Sequence, residues 1–474
     1  MTAEPAEADV RKSTPERMAI AVASVLAAMT LVVLDAAMTN VALPAISQSL
    51  GVTPAEAVRV VNGYQLGLLV ALLPSAALGG SVGFRRVFVA GTVLFITASL
   101  LCALATTLTW LVLARVVQGM GGAAIMALGI ATLRTVVPGH RLGAAIGWNA
   151  LAVALASAAG PAVGALVLST TTWPWLFAIN LPVGAVVLVC ARALPASVGT
   201  GSPVDRRGFA LNAGTFALLV LAAESGTENP LLGIALGLMA TALAVLLIRR
   251  DLHRESPLVP MDLLRAPSMR VSVIASVLCF AGQSAGLVAL PFLLLHAFHW
   301  APLAAGLCLS VWPLTVALTG PLAGKLADRV STAGLCAVGG MLLAAGLGAA
   351  ATLDSSAGLV TVAACLGACG VGFGMFNVPN NRNMFLSVPP QRSGAAGGLQ
   401  SLARLSGQTF GALLMSALFK LADLDDAASM GLALGAVSAL AAGATSLLRR
   451  QFIPAAPSAQ ETRSRPPGSD GSSG

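Results

Sequence analysis

RLGAAIGWNALAVALASAAGPAVGALVLSTTTWPWLFAINLPVGAVVLVCAR, residues 141–192, runs for fifty positions between its terminal arginines without one Asp, Glu, Lys or Arg. A helix crosses the hydrocarbon core of a bilayer in about 20 apolar residues. The stretch therefore reads as two crossings, with a turn near Ser169–Pro174. Strands of a membrane barrel are about 10 residues long and alternate in polarity, a pattern this run lacks. Backbone groups in lipid must pair within their own segment, so the crossings are helices.

The same reading extends along the chain. Of its 474 residues 57% are hydrophobic and 10% charged, against about 25% charged in soluble domains. Most of the surface must face something other than water. The charge-free gaps predict helices over Arg17–Asp35 (continuing to about Leu43), Arg59–Arg85, and two in Arg86–Arg134 with Arg115 inside the second. Two follow in the quoted stretch, then Arg207–Glu224 and Glu228–Arg249. Arg270–Lys325 holds two, turning near His296–Pro302. Arg329–Asp354, Asp354–Arg382, Arg392–Lys420 (with Arg404 inside) and Asp426–Arg449 complete fourteen.

An even number of crossings puts both termini on one side. All but four of the 27 Lys and Arg fall on that side; Arg59 and Lys420 lie opposite, and Arg115 and Arg404 are inside helices. Cations mark cytoplasmic loops, so both termini are expected in the cytoplasm of a multi-pass inner-membrane protein. Spread over short loops, the net charge of +8 does not form a nucleic-acid surface. The first 17 residues mix acids and bases without a cleavage site, and the first helix is expected to be retained.

GGSVGFRR (Gly79–Arg86), after helix 2, is echoed by GKLADR (Gly324–Arg329), at the end of helix 10. This suggests a duplicated chain with an insertion. The expected organisation is a cytoplasmic tail (1–17), a six-helix bundle (18–195) and a linker (196–270) with two extra crossings at about 208–223 and 231–248. A second six-helix bundle (271–448) and a disordered tail (449–474) follow.

LDAAMTNVALP (Leu34–Pro44) in helix 1, LARVVQGMGGA (Leu113–Ala123) in helix 4, AGPAVG (Ala159–Gly164) in helix 5 and WPWLFAINLPVG (Trp173–Gly184) entering helix 6 occur in order. Together they resemble the major facilitator superfamily, in its fourteen-helix drug:proton antiporter branch, over about residues 20–448. FNVPNNRN (Phe376–Asn383) and ARLSGQ (Ala403–Gln408) look closest to the methyl viologen and quaternary-ammonium exporters. The resemblance implies the major facilitator fold, an all-α membrane protein with two six-helix bundles plus two central helices. It also implies proton-coupled efflux of lipophilic, cationic drugs. Three positions depart from the family. Gly80 and Ser81 stand where an Asp-Arg pair is usual, leaving Arg85 and Arg86 without an acid, and Ala37 stands for Thr.

Asp35 is the one acid well inside a predicted span. Such a group usually faces a cavity or a partner, and it is either a proton site for which a cationic substrate competes or a structural ion pair. Arg115 is either a structural donor or the charge that tunes this site, accompanied by Gln118. Gly160, Pro161 and Gly164 kink helix 5 and permit close packing, with or without a role in coupling. Asp328 and Arg329, with Arg85 and Arg86, form the expected cytoplasmic gate; solvated loop charges are the alternative. Gln400, Arg404 and Gln408 make a polar stripe on helix 13 that either lines the cavity or only bridges helices. Tyr64 is a further cavity candidate; Trp148 and Trp312 either stack on a flat cation or, the favoured reading, serve apolar packing, and Glu224 reads as a solvated outer-loop charge.

No phosphate-binding glycine loop and no HExxH is present. The cysteines are scattered singly, so no metal, cofactor or enzymatic activity is expected. The expected partners are a small-molecule substrate, protons and the lipid bilayer, with no nucleic acid and no obligate protein partner. Export of a single natural product, metabolite import and a non-transporting membrane sensor are the alternatives to drug efflux.

Overall fold

The structure, a computed structural model, describes residues 15–449 except 198, 202–203, 253, 255–259 and 390–391, and leaves aside the side chains of 139, 140 and 393. The expected terminal tails lie outside the described residues save at their inner edges. Residues 15–17 already belong to the first helix, and Arg449 is buried.

The described residues form helices joined by short turns, with no strand. The first six are α1 (Pro15–Leu50), α2 (Pro54–Val82), α3 (Phe84–Ala103), α4 (Leu108–Val136), α5 (Gly139–Thr170) and α6 (Pro174–Ala193). α7 (Arg206–Gly226) and α8 (Pro230–Asp251) follow. The last six are α9 (Pro267–Ala297), α10 (Pro302–Leu326), α11 (Thr332–Ala351), α12 (Leu359–Leu386), α13 (Ser393–Leu421) and α14 (Leu424–Leu447). Thirteen of these fourteen are long and apolar enough to cross a bilayer. The exception is α13, which carries Gln400, Arg404, Gln408 and Lys420.

α1 continues past the expected Leu43 to Leu50, straight through Pro44. Proline removes one backbone donor without ending a membrane helix. α6 instead breaks at Ile179. Pro182 has no N–H for the Ala178 carbonyl, and the loosened turn places Asn180 facing inward, fully buried.

The packing repeats. α1 packs on α5 and α6, α2 on α4, and α3 on α4 and α6. Likewise α9 packs on α13 and α14, α10 on α12, and α11 on α12 and α14. Each contact in the second set is the first shifted by eight helices, so α10 is the counterpart of α2. The halves meet where α5 abuts α10, α2 abuts α13 and α1 abuts α9.

The inserted pair lies outside this frame. Only 17% of the most apolar stretch of α7 and of α8 is buried, against 61% for α4, α9 and α11. Leu231 and Leu238 are 80% and 67% exposed, as on a lipid-facing wall. α7 docks on α2 and α13, across the seam between the halves. Asn212 of α7 is buried and donates to the Val70 and Leu69 carbonyls of α2 at 3.2 and 3.4 Å. Val70 is four residues before Pro74, so its carbonyl has no helical partner; Asn212 replaces the missing donor. Asn212→Ala should cost about 1 kcal/mol of stability, read as a lowered apparent Tm in detergent. Pro74→Ala, which restores the helical donor, should shrink that cost.

Candidate functional site

α2 and α4 cross at glycines. A Cβ on Gly67 would lie 2.1 Å from the Val116 carbonyl oxygen, and one on Gly119 2.2 Å from that of Tyr64. Only hydrogen fits at these two positions. The close crossing carries Arg115 beneath α2 and against α1.

There Arg115 Nη1 meets Asp35 Oδ2 at 2.6 Å, both side chains 1% exposed. Two amides donate to the other carboxylate oxygen, Gln118 at 2.9 Å and Asn180 at 2.7 Å. Gln118 also donates to Ser99 at 2.8 Å and accepts from Arg115 at 2.6 Å. Arg115 Nε reaches the Val60 carbonyl at 3.4 Å, and its guanidinium lies 4.1 Å above the Tyr64 ring and 5.5 Å from that of Phe177. Cys102 faces Gln118 from α3. Five helices thus contribute to one closed, polar, ion-paired cluster inside the first half. Asp35, Arg115, Gln118 and Tyr64 come together there. Asn180 and Ser99, which sequence reasoning passed over, complete it; an Asn within an otherwise apolar run was the available signal.

This corrects the expected cavity. Asp35, Gln118 and Tyr64 do not line an open space, because the first half closes over them. Trp312 is 1% exposed and packs on Gly286 of α9. The polar groups between the halves are others. On α13, Gly407 and Gly411 face α9, while Gly398, Leu405 and Ser416 face α2. Arg404 and Gln408 occupy the stripe between those faces, partly exposed, with Gln400 one turn below. Asn40, Gln65, Gln283 and Asn381 are also partly exposed, each with a side-chain oxygen lacking a protein partner. Gln283 sits between Gly282, against α14, and Ser284, against α13. Asn381 sits between Asn380, bonded to α9, and Arg382, bonded to α10.

The crevice closes at the end away from the termini. A Cβ on Gly306 of α10 would lie 2.2 Å from the Ala165 Cβ of α5, and the Ala162 N–H donates to Ser310 at 3.2 Å. Ser416 donates to the Ala55 carbonyl at 3.1 Å, and Gln48 meets His296 at 3.1 Å. Trp148 and Leu155 share another stripe of α5 with Leu166; at 64%, 55% and 53% exposure it reads, like the α8 leucines, as a lipid-facing wall.

The helix-5 glycines face α1. A Cβ on Gly160 would lie 2.3 Å from the Ala37 Cβ, and one on Gly164 3.1 Å from the Met38 Cα. Pro161 faces the other way, toward Gly306. α5 is therefore wedged between the helix that carries Asp35 and the opposite half.

Of the expected gate residues, Asp328 pairs with a neighbouring helix, through Arg382 of α12 at 2.6 Å within its own half, and Arg329 takes no part in that pair. Arg85 is held through its backbone N–H, which donates to Ser197 at 2.9 Å, and Arg86 is exposed. At Gly80 and Ser81 the linker lies down on the loop. Thr200 N–H donates to the Gly80 carbonyl at 3.0 Å and Gly201 N–H to that of Ser81 at 3.1 Å.

Glu224 is corrected too. Its side chain is 19% exposed and lies 3.8 Å from Arg59, while Asn62 approaches it at 3.5 Å. Lys420 of α13 donates to the Glu224 carbonyl, Thr227 and Glu228 at 3.0, 3.0 and 2.8 Å. Lys420 holds the Glu228 carboxyl below its ordinary range. The turn between α7 and α8 thus clasps α2 of one half to α13 of the other.

The family model for the Major Facilitator Superfamily matches residues 25–412 and 272–467. An uncharacterized transporter, YebQ, of Escherichia coli (strain K12) is 40% identical over 405 residues, covering 84% of this chain and 88% of that protein. The riboflavin transporter RibZ of Clostridioides difficile (strain 630) is 29% identical, covering 81% and 85%. The tetracenomycin C resistance and export protein of Streptomyces glaucescens is 28% identical, covering 85% and 75%.

Proposed function

Because the chain belongs to the Major Facilitator Superfamily, a family of membrane transporters, we propose that it exports lipophilic, toxic compounds across the cytoplasmic membrane in exchange for protons. One observation carries this reading: the Asp35–Arg115 pair, a titratable carboxylate sealed among five helices and tied to the helix that α5 wedges against the opposite half.

The chemistry follows from the pair. With Asp35 ionised, Arg115 locks α1 to α4. A proton on Asp35 removes the attraction and leaves Arg115 to Gln118, the Val60 carbonyl and the Tyr64 ring. Tyr64, Arg115 and Cys102 are the other titratable groups facing Asp35. Once released, α1 shifts against Gly160 and Gly164, and α5 transmits the shift to Gly306 and Ser310 of α10. Uptake of one proton at Asp35 is thereby coupled to rocking of the halves.

Sidedness rests on charge. The end that carries the termini also carries the cations, so it is cytoplasmic; the halves touch at the opposite, outer end, which leaves loading from inside. The α7–α8 clasp then holds the outer end shut. Glu224→Gln should loosen it and lower disulfide formation between Ala55→Cys and Ser416→Cys by about two- to five-fold. An unchanged yield would remove the clasp from the gating scheme.

A cationic substrate that competes with the proton for Asp35 has no support from its position, 1% exposed inside the first half. A dedicated exporter of one natural product is the second reading, favoured by the similarity to the tetracenomycin C export protein. Proteoliposomes with an imposed pH gradient test the proposal, using a panel of planar aromatic anions, neutral compounds and cations. Uphill movement that a protonophore stops is the expected result; no gradient-driven flux with any member counts against antiport.

A further inference from the structure

We propose that Arg404 anchors an anionic group of the substrate, so that the exported class is planar aromatic acids, carboxylates or phenolates, and not lipophilic cations. This rests on the exporter reading and names its substrate class. Asp35, the acid a cation would need, is consumed by Arg115, Gln118 and Asn180 inside the first half. Arg404 stands, partly exposed, on the stripe of α13 between the face that packs on α9 and the face that packs on α2. Among the described residues no carboxylate pairs with it; every described ion pair lies elsewhere.

A guanidinium deep within a membrane bundle is costly and is retained where it meets an ion, a cavity or water. Gln408 shares the stripe with Arg404, and Asn40, Gln65, Gln283 and Asn381 are partly exposed amides on α1, α2, α9 and α12 whose buried oxygens lack a protein partner. A fixed cation accompanied by neutral amides attracts an anion and repels a cation. Arg binds a carboxylate through two parallel hydrogen bonds. The amides supply donors and acceptors for the phenolic and carbonyl oxygens of a polar aromatic frame.

Equilibrium binding to purified protein in detergent tests this without any gradient, so the result does not depend on proton coupling. The probes are carboxyfluorescein and naphthalene sulfonate as planar anions and ethidium as a planar cation. Wild type should bind the anions and exclude ethidium. Arg404→Gln should weaken anion binding about 10- to 100-fold. Arg404→Lys should restore part of it, and Arg404→Glu should reverse the preference toward ethidium. Monodispersity on gel filtration and an unchanged apparent Tm establish that each variant is folded; should Arg404→Gln fail this, Arg404→Lys and the wild-type probe preference decide. Ethidium bound in preference to the anions, no binding of either anion, or undiminished anion binding by folded Arg404→Gln would overturn the proposal.

Discussion

Asp35→Asn should abolish pH-driven uphill transport, to the level of protein-free liposomes, while leaving substrate exchange at equal pH. Asn preserves the size of the side chain and an oxygen to accept from Gln118 and Asn180, but it carries no proton to exchange. The substitution also strips Arg115 of its counter-ion at a 1% exposed site. Breaking a buried pair from one side costs about 3–5 kcal/mol, so the variant should also melt early. Asp35→Asn combined with Arg115→Gln removes the orphaned charge. The pair should recover most of the stability and none of the coupling. Recovery of both would assign the pair a structural role alone.

Gly160→Leu should abolish transport by a different route. The first carbon of the new side chain would already lie 2.3 Å from the Ala37 Cβ and 3.5 Å from its Cα. Three further carbons have no space unless α1 and α5 separate. Overpacking of this kind costs about 1–3 kcal/mol, and separation would pull α1 from the helix that touches Gly306 of α10. Transport should fall to background with a lowered apparent Tm. Gly160→Ala should be milder, and adding Ala37→Gly should restore it, because the pair exchanges one methyl across the same contact. Normal transport by a well-inserted Gly160→Leu would show that the α1–α5 contact carries no coupling.

Much of the fold was legible because charges are excluded from spans. The gaps between Asp, Glu, Lys and Arg located fourteen helices, including α13, whose own polarity keeps it below the hydropathy of the rest. Helix ends were less legible. Pro44 does not stop α1, since its effect is one lost hydrogen bond in a helix held by neighbours on several sides.

Asp35 and Arg115 stood out as charges in apolar runs. Their pairing did not, because they are 80 positions apart and meet only through the glycine crossing of α2 and α4. Asn180 and Ser99 are neutral, so a reading built on charges passes over them, although an Asn inside an apolar run is a visible mark. Arg59, Glu224, Glu228 and Lys420 read as loop charges because the clasp depends on where the α7–α8 hairpin docks, up to 196 positions from its partner.

Proton release on substrate binding tests the central claim most directly. Protein in weakly buffered detergent is titrated with the probe that wild type transports, and the pH change is recorded across a range of starting pH. If Asp35 is the coupling carboxylate, wild type releases protons on binding and Asp35→Asn with Arg115→Gln, folded and still binding the probe, releases none. Equal release by the two proteins would contradict the account and place the exchanged proton on another group.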